Sequence, residues 1–141
     1  MKKPETDELK KALENASSID SFLTENAEAF CSQEVSDLIT SMLSRKKISK
    51  AALARAAGMS EIYLHQIIGG KRNPSRNRVI CICLGLEASL EETQDFLKKG
   101  GYALLYARNR RDSILMYALM HHQSAEYVND LLFSMGEEVL F

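Results

Sequence analysis

The chain has 141 residues, 45% of them hydrophobic and 26% charged, with a formal net charge of −1. That is enough for one core of ordinary size and too apolar for a disordered chain. Two prolines and no tryptophan, with frequent alanine, leucine and glutamate, favour an all-α chain, and no apolar run approaches the roughly 20 residues of a membrane span.

The start, MKKPETDELKK, has no apolar core, so no signal peptide is read there. Cys31, Cys81 and Cys83 make no even disulfide framework. They read as buried thiols in a reducing cytoplasm, which is the expected location. Cys81 and Cys83 stand two apart in a predicted helix and are expected to point different ways. Charge is unevenly placed. Between Arg45 and Arg78 nine basic residues face one acid, Glu61, whereas residues 1–44 and 79–141 each carry nine acids, against four and five basic residues. A basic middle between acidic flanks is the footprint of a phosphate-binding face.

In chain order, Pro4 to Ala16 predicts a helix capped by Thr6, with Leu9, Ala12, Leu13 and Ala16 on one side. Ser17 or Ser18 can cap a second, with Ile19, Phe22, Leu23, Ala27 and Phe30 apolar. These two make an acidic helical leader over residues 1–33, read first as packing on the domain, with contact to a partner or mimicry of DNA charge as the alternatives. Val35, Leu38, Ile39, Met42 and Leu43 then recur at amphipathic spacing, and Arg45, Lys46 and Lys47 suit the last turn. From Ser49 to Asn73, SKAALARAAGMSEIYLHQIIGGKRN reads as two short helices joined by a tight turn at Gly58. Ser49 and Ser60 are their caps. Leu53, Ala54, Ala57, Leu64, Ile67 and Ile68 are their buried sides. A slim side chain at Ala54 suits a steep helix crossing. Asn73-Pro74-Ser75 breaks the chain. The next helix runs to about Leu86, with Val79, Ile80, Ile82, Cys83 and Leu86 inward. Ser89 and Glu92 form a capping box for a helix ending at Gly100-Gly101. In the remainder, 101–141, Tyr102–Tyr106 is a short apolar segment. Asp112 is the expected cap of one further helix and Ser124 of another, the latter with Tyr127 or Val128, Leu131, Leu132 and Met135 apolar.

The spaced set Leu53-Ala54, Gly58, Ser60, Leu64, Ile67 and Gly70–Pro74, with Leu84-Gly85-Leu86, Ala88 and Leu90 further on, resembles the phage-repressor-like (Cro/C1, XRE) helix-turn-helix family over residues 34–99. The resemblance implies an all-α, lambda-repressor-like five-helix DNA-binding domain at 34–100. It would be flanked by the N-terminal leader and a C-terminal helical extension at 101–141 that packs or dimerises.

That resemblance also implies roles. The second motif helix, at about 60–68, would enter the major groove, where base edges are distinguishable. Glu61, Ile62 and Gln66 take base-reading places, with Tyr63 and His65 as neighbours. Gln66 matches adenine, Glu61 the cytosine amino group, and Ile62 a thymine methyl. Ser49, Lys50, Lys71, Arg72, Arg76 and Arg78 would meet phosphates, which set register and most of the affinity.

No other chemistry is expected. Adjacent His121 and His122 point about 100° apart on a helix and do not share a metal easily. No glycine-rich phosphate loop, nucleophile signature or cofactor motif occurs, so the chain reads as no enzyme, with no metal and no cofactor. The expected function is a cytoplasmic DNA-binding transcriptional regulator acting on double-stranded DNA as a homodimer. The alternative is a protein-interaction module, antitoxin-like or adaptor, that keeps the fold and grips a protein partner through 101–141. The Glu61-Ile62 pair and the acidic flanks favour that second reading.

Overall fold

A computed structural model describes residues 6–25 and 33–141, and all regular structure among them is helical. The chain divides into two compact units, residues 1–32 and 33–141.

In the first unit, α1 (Thr6–Asn15) and α2 (Ile19–Glu25) pack on each other. Thr6 already lies inside α1 rather than before it. Ser18 does cap α2, its hydroxyl oxygen accepting from the Ser21 N–H at 3.0 Å. Among the described residues of the predicted apolar side, Phe22 is buried, and Ile19 and Leu23 are exposed. Pro4, Ala27, Phe30 and Cys31 lie outside the described residues.

The second unit holds α3 (Gln33–Lys46), α4 (Lys50–Ala56), α5 (Glu61–Ile68), α6 (Arg76–Gly85), α7 (Leu90–Lys99), α8 (Arg110–Met120) and α9 (Ala125–Ser134). The last six are each entered through an N-cap side chain: Ser49, Ser60, Ser75, Ser89, Asn109 and Ser124. Each cap satisfies an orphan backbone donor and is worth roughly 1 kcal/mol. The Ser89/Glu92 capping box is complete. Glu92 extends beyond it, reaching Arg45 at 2.6 Å and Lys46 at 3.2 Å, which ties the end of α3 to the start of α7. The Ser89 N–H first, then Lys46 and Arg45, hold the Glu92 carboxyl below its ordinary range.

α6 is the axis of this unit. Val79 through Leu84 are all buried, because α4, α7 and α9 pack around it. The expected divergence of Cys81 and Cys83 therefore has no consequence for exposure: both are buried and free. Burial pushes their thiols up, to about 11 and about 12. α4 reaches α6 closely at Gly85, where a Cβ would stand 3.0 Å from Leu53 Cδ1 and 3.2 Å from the Ala57 nitrogen.

The segment after Gly101 joins the same core. Leu105, Leu115, Ala118, Leu119, Ala125, Val128, Leu132 and Leu140 are buried in one cluster with Ile39, Leu53 and Ile80. Of the pair Tyr127 and Val128 in α9, Val128 is the buried one, and Met135 is exposed. The predicted cap of α8 is corrected. Asn109 holds that place, its Oδ1 accepting from the Asp112 N–H at 2.9 Å. Asp112 is turned into the protein, where Arg76 awaits it.

Candidate nucleic-acid interface

α5 begins at Ser60, whose extended backbone and hydroxyl oxygen, accepting from the Tyr63 N–H at 3.1 Å, start the helix. Glu61 in the first turn suits the positive end of the helix dipole. Leu64 and Ile67 are buried, with α3 and α4 packed on the helix. The buried Ser36 hydroxyl donates to the Ile68 carbonyl and fixes its far end. The turn before it needs Gly58, where φ is +70°. Another side chain there costs roughly 1–2 kcal/mol in backbone strain.

The other side of α5 is open. Glu61 and His65 are exposed, Ile62 is 74% exposed, and Gln66 is half-buried. Tyr63 differs from the other residues expected to meet bases. Its ring is half-buried and carries two guanidinium groups, Arg72 at 5.3 Å and Arg78 at 5.6 Å from the ring centroid. Such cation–π contacts are worth roughly 0.5–1 kcal/mol each at partly wet sites. Here they fix where the two charges stand.

Of the nine basic residues between Arg45 and Arg78, three are in ion pairs: Arg45 and Lys46 with Glu92, and Arg76 with Asp112. Lys47, Lys50, Arg55, Lys71, Arg72 and Arg78 have no acidic partner within 4 Å among the described residues. Lys50 and Lys71 flank the two motif helices and are exposed. Ser49 is also exposed, but its hydroxyl is engaged as the cap of α4, 3.1 Å from the Ala52 N–H. Lys47, at a positive φ of 55°, joins the unpaired set without having been singled out beforehand.

Arg76 has another occupation than phosphate. Its Nη1 and Nη2 donate to the two Asp112 carboxylate oxygens at 3.2 and 3.1 Å. Nε donates to the Ala103 carbonyl at 2.8 Å and Nη2 to the Leu104 carbonyl at 3.0 Å. This guanidinium locks the 101–106 segment onto the start of α6. Two residues without a sequence signal assist it. The Tyr102 hydroxyl donates to the Pro74 carbonyl at 2.6 Å, and burial pushes that phenol up. The Gln94 side chain exchanges two 2.9 Å hydrogen bonds with Leu105. Pro74 follows Lys71 and Arg72 in the chain, so Tyr102 pins the loop that carries them.

No family model, curated protein or solved structure matches this chain.

Among the described residues no three His, Cys, Asp or Glu side chains gather as a metal site needs. His121 is the C-cap of α8, and His122 follows at a positive φ of 51°. No described helix is long and apolar enough to cross a membrane. The arrangement around α5 is one of exposed helix face and fixed positive charge, which suits a polyanion with readable edges.

Proposed function

We propose that the chain is a DNA-binding transcriptional regulator that lays α5 in the major groove of duplex DNA. α3 to α7 would act as a lambda-repressor-like five-helix domain. The observation that carries this reading is the exposed α5 face beside Arg72 and Arg78, which stand over Tyr63 on that helix, with Lys47, Lys50 and Lys71 also lacking an acidic partner among the described residues. Lys50, Lys71, Arg72 and Arg78 are the phosphate contacts, with Lys47 added. Arg76 is assigned to the fold instead. Ile62 and Gln66 are the leading base contacts, since an apolar side chain meets a thymine methyl and an amide pairs with adenine. Glu61 and His65 flank them, and Tyr63 holds Arg72 and Arg78. The working form is a cytoplasmic homodimer, each α5 in a groove about one helical turn from the other.

The test is titration with a mixed-sequence DNA duplex at several salt concentrations. Each phosphate contact lowers the slope of log K against log salt by about 0.9. Reversing Lys71 and Arg72 together to glutamate should flatten that slope by about 2. Absence of binding at low salt would overturn the proposal. A second reading, a protein-interaction module, draws on the exposure of Ile62 at 74% and Phe133 at 78%. It gains if DNA is not bound and Ile62→Ser abolishes a protein complex.

A further inference from the structure

A cavity of about 380 Å³ opens where the turn after α4, the turn after α6 and the α8–α9 connection meet. That is within the size range of small-molecule sites. None of the outward residues of α5 lines it.

Three helices end on this cavity. The chain turns left-handed just past each of them, at Gly58 with φ +70°, Glu87 with φ +53° and His122 with φ +51°. Helix C-termini present carbonyl groups carrying partial negative charge. Two carboxylates, Glu87 and Glu126, also line it, and neither is in an ion pair among the described residues. Arg55 is the one lysine or arginine on the wall and stands more than 4 Å from both. α9 starts here too, but the Ser124 hydroxyl takes up a first-turn donor, and Glu126 offsets the positive end of that helix. The wall therefore carries two carboxylates against one arginine, a formal surplus of one negative charge.

The apolar part of the wall is held in advance. Leu84 and Ala125 contribute to it, and so does the ring of Phe141. The Asn129 side chain fixes the backbone of that last residue. Its Oδ1 accepts from the Leu140 and Phe141 N–H groups at 2.6 and 3.1 Å, and its Nδ2 donates to the Phe141 carbonyl at 3.0 Å. The ring then lies against Gly58, where a Cβ would come within 2.8 Å of Cζ. An aromatic ring beside carboxylates and helix C-termini is a setting that recognises organic cations.

We propose that this cavity binds a small organic cation with a flat apolar body, an aryl amidine or arylalkylamine in kind. Glu87 and Glu126 take the charged head, and Phe141 and Leu84 take the body. The proposal stands without the DNA reading, and its test uses no DNA.

Benzamidinium is the probe, with benzamide and benzoate as the neutral and anionic analogues of the same shape. Calorimetric titration of the full chain should give saturable benzamidinium binding, with both analogues at least about tenfold weaker. The double variant Glu87→Gln/Glu126→Gln should lose about tenfold in affinity, while Glu91→Gln, an exposed change on α7 outside the cavity, leaves it unchanged. Ala56→Phe, an exposed position on the cavity wall, blocks the site by volume and decides the matter if the charge variant does not fold. No saturable benzamidinium binding, equal binding of all three probes, or wild-type affinity in both cavity variants would overturn the proposal.

Discussion

Removing the Asp112 carboxylate tests whether Arg76 serves the fold or the ligand. In Asp112→Ala the guanidinium loses both oxygens of its bidentate partner, and the Tyr106 N–H, 3.0 Å from Oδ2, loses its acceptor. Breaking a fully buried pair costs roughly 3–5 kcal/mol. The Asp112 side chain is 9% exposed, but that of Arg76 is 25% exposed, so water screens the orphaned charge. The expected loss is about 2–3 kcal/mol. In the double variant Arg76→Met/Asp112→Ala no charge is left stranded, so the two losses should fall short of additivity by about 1–2 kcal/mol. Amide hydrogen exchange of α6 and α8 is the assay. It reads the second unit residue by residue, so opening of residues 1–32 does not enter. The same variants separate the two roles on DNA. Arg76→Met should leave the salt slope of binding unchanged, whereas neutralising Lys71 or Arg72 flattens it by about 0.9 each. A cost under about 0.5 kcal/mol for Asp112→Ala, or a flattened salt slope for Arg76→Met, would refute the reasoning.

Leu132→Ala should destabilise the second unit by about 2–4 kcal/mol in urea unfolding, since Leu132 is fully buried and the deletion leaves a cavity. A cost below about 1 kcal/mol would mean the extension is not part of the core. Ser60→Ala should cost about 1 kcal/mol by removing the cap of α5, with faster amide exchange at Tyr63 as its local sign. Gly58→Ala combines backbone strain of roughly 1–2 kcal/mol with a clash on the Phe141 ring, so Phe141→Ala in the same chain should recover only the steric part. Cys81 and Cys83 are held protonated in the fold, from 9.0 up to about 11 and about 12. Raised folded values mean that their contribution is complete below pH 9 and is lost as pH climbs toward 12. Each thiol steepens the fall by roughly 1.4 kcal/mol per pH unit there. In a Cys31→Ala chain, iodoacetamide at pH 8 should therefore modify neither thiol without unfolding, as mass spectrometry would register.

Most helices of the second unit were legible because they announce themselves locally. A serine stands before an apolar repeat at Ser49, Ser60, Ser89 and Ser124, and the caps form as such; Ser75, read only as part of a chain break, caps α6 as well. Asn109 was missed because Asp112 offers the same chemistry three residues on. Only the position of Arg76 decides which of the two caps and which turns inward. In α6 the residues expected inward, and both thiols, are buried, but so are their neighbours. A helix buried all round has no polar face to set a period against, so the pattern around Cys81 and Cys83 could not tell one side from the other.

The candidate interface was legible as composition and not as availability. Nine basic residues in one stretch look alike in the sequence, yet three are held by Glu92 and Asp112, which lie 36 to 47 residues away along the chain. Tyr63 shows the same limit from the other direction. By register it belongs to the reading face of α5, but its ring lies under Arg72 and Arg78. Removing that ring should therefore act through the two guanidinium groups, loosening contacts that do not depend on base identity. Tyr63→Ala should weaken binding to every duplex by a similar factor, whereas Ile62→Ala should alter the ranking among them. A variant of Tyr63 that changed sequence preference while leaving overall affinity intact would return this residue to the groove and remove the case for a platform.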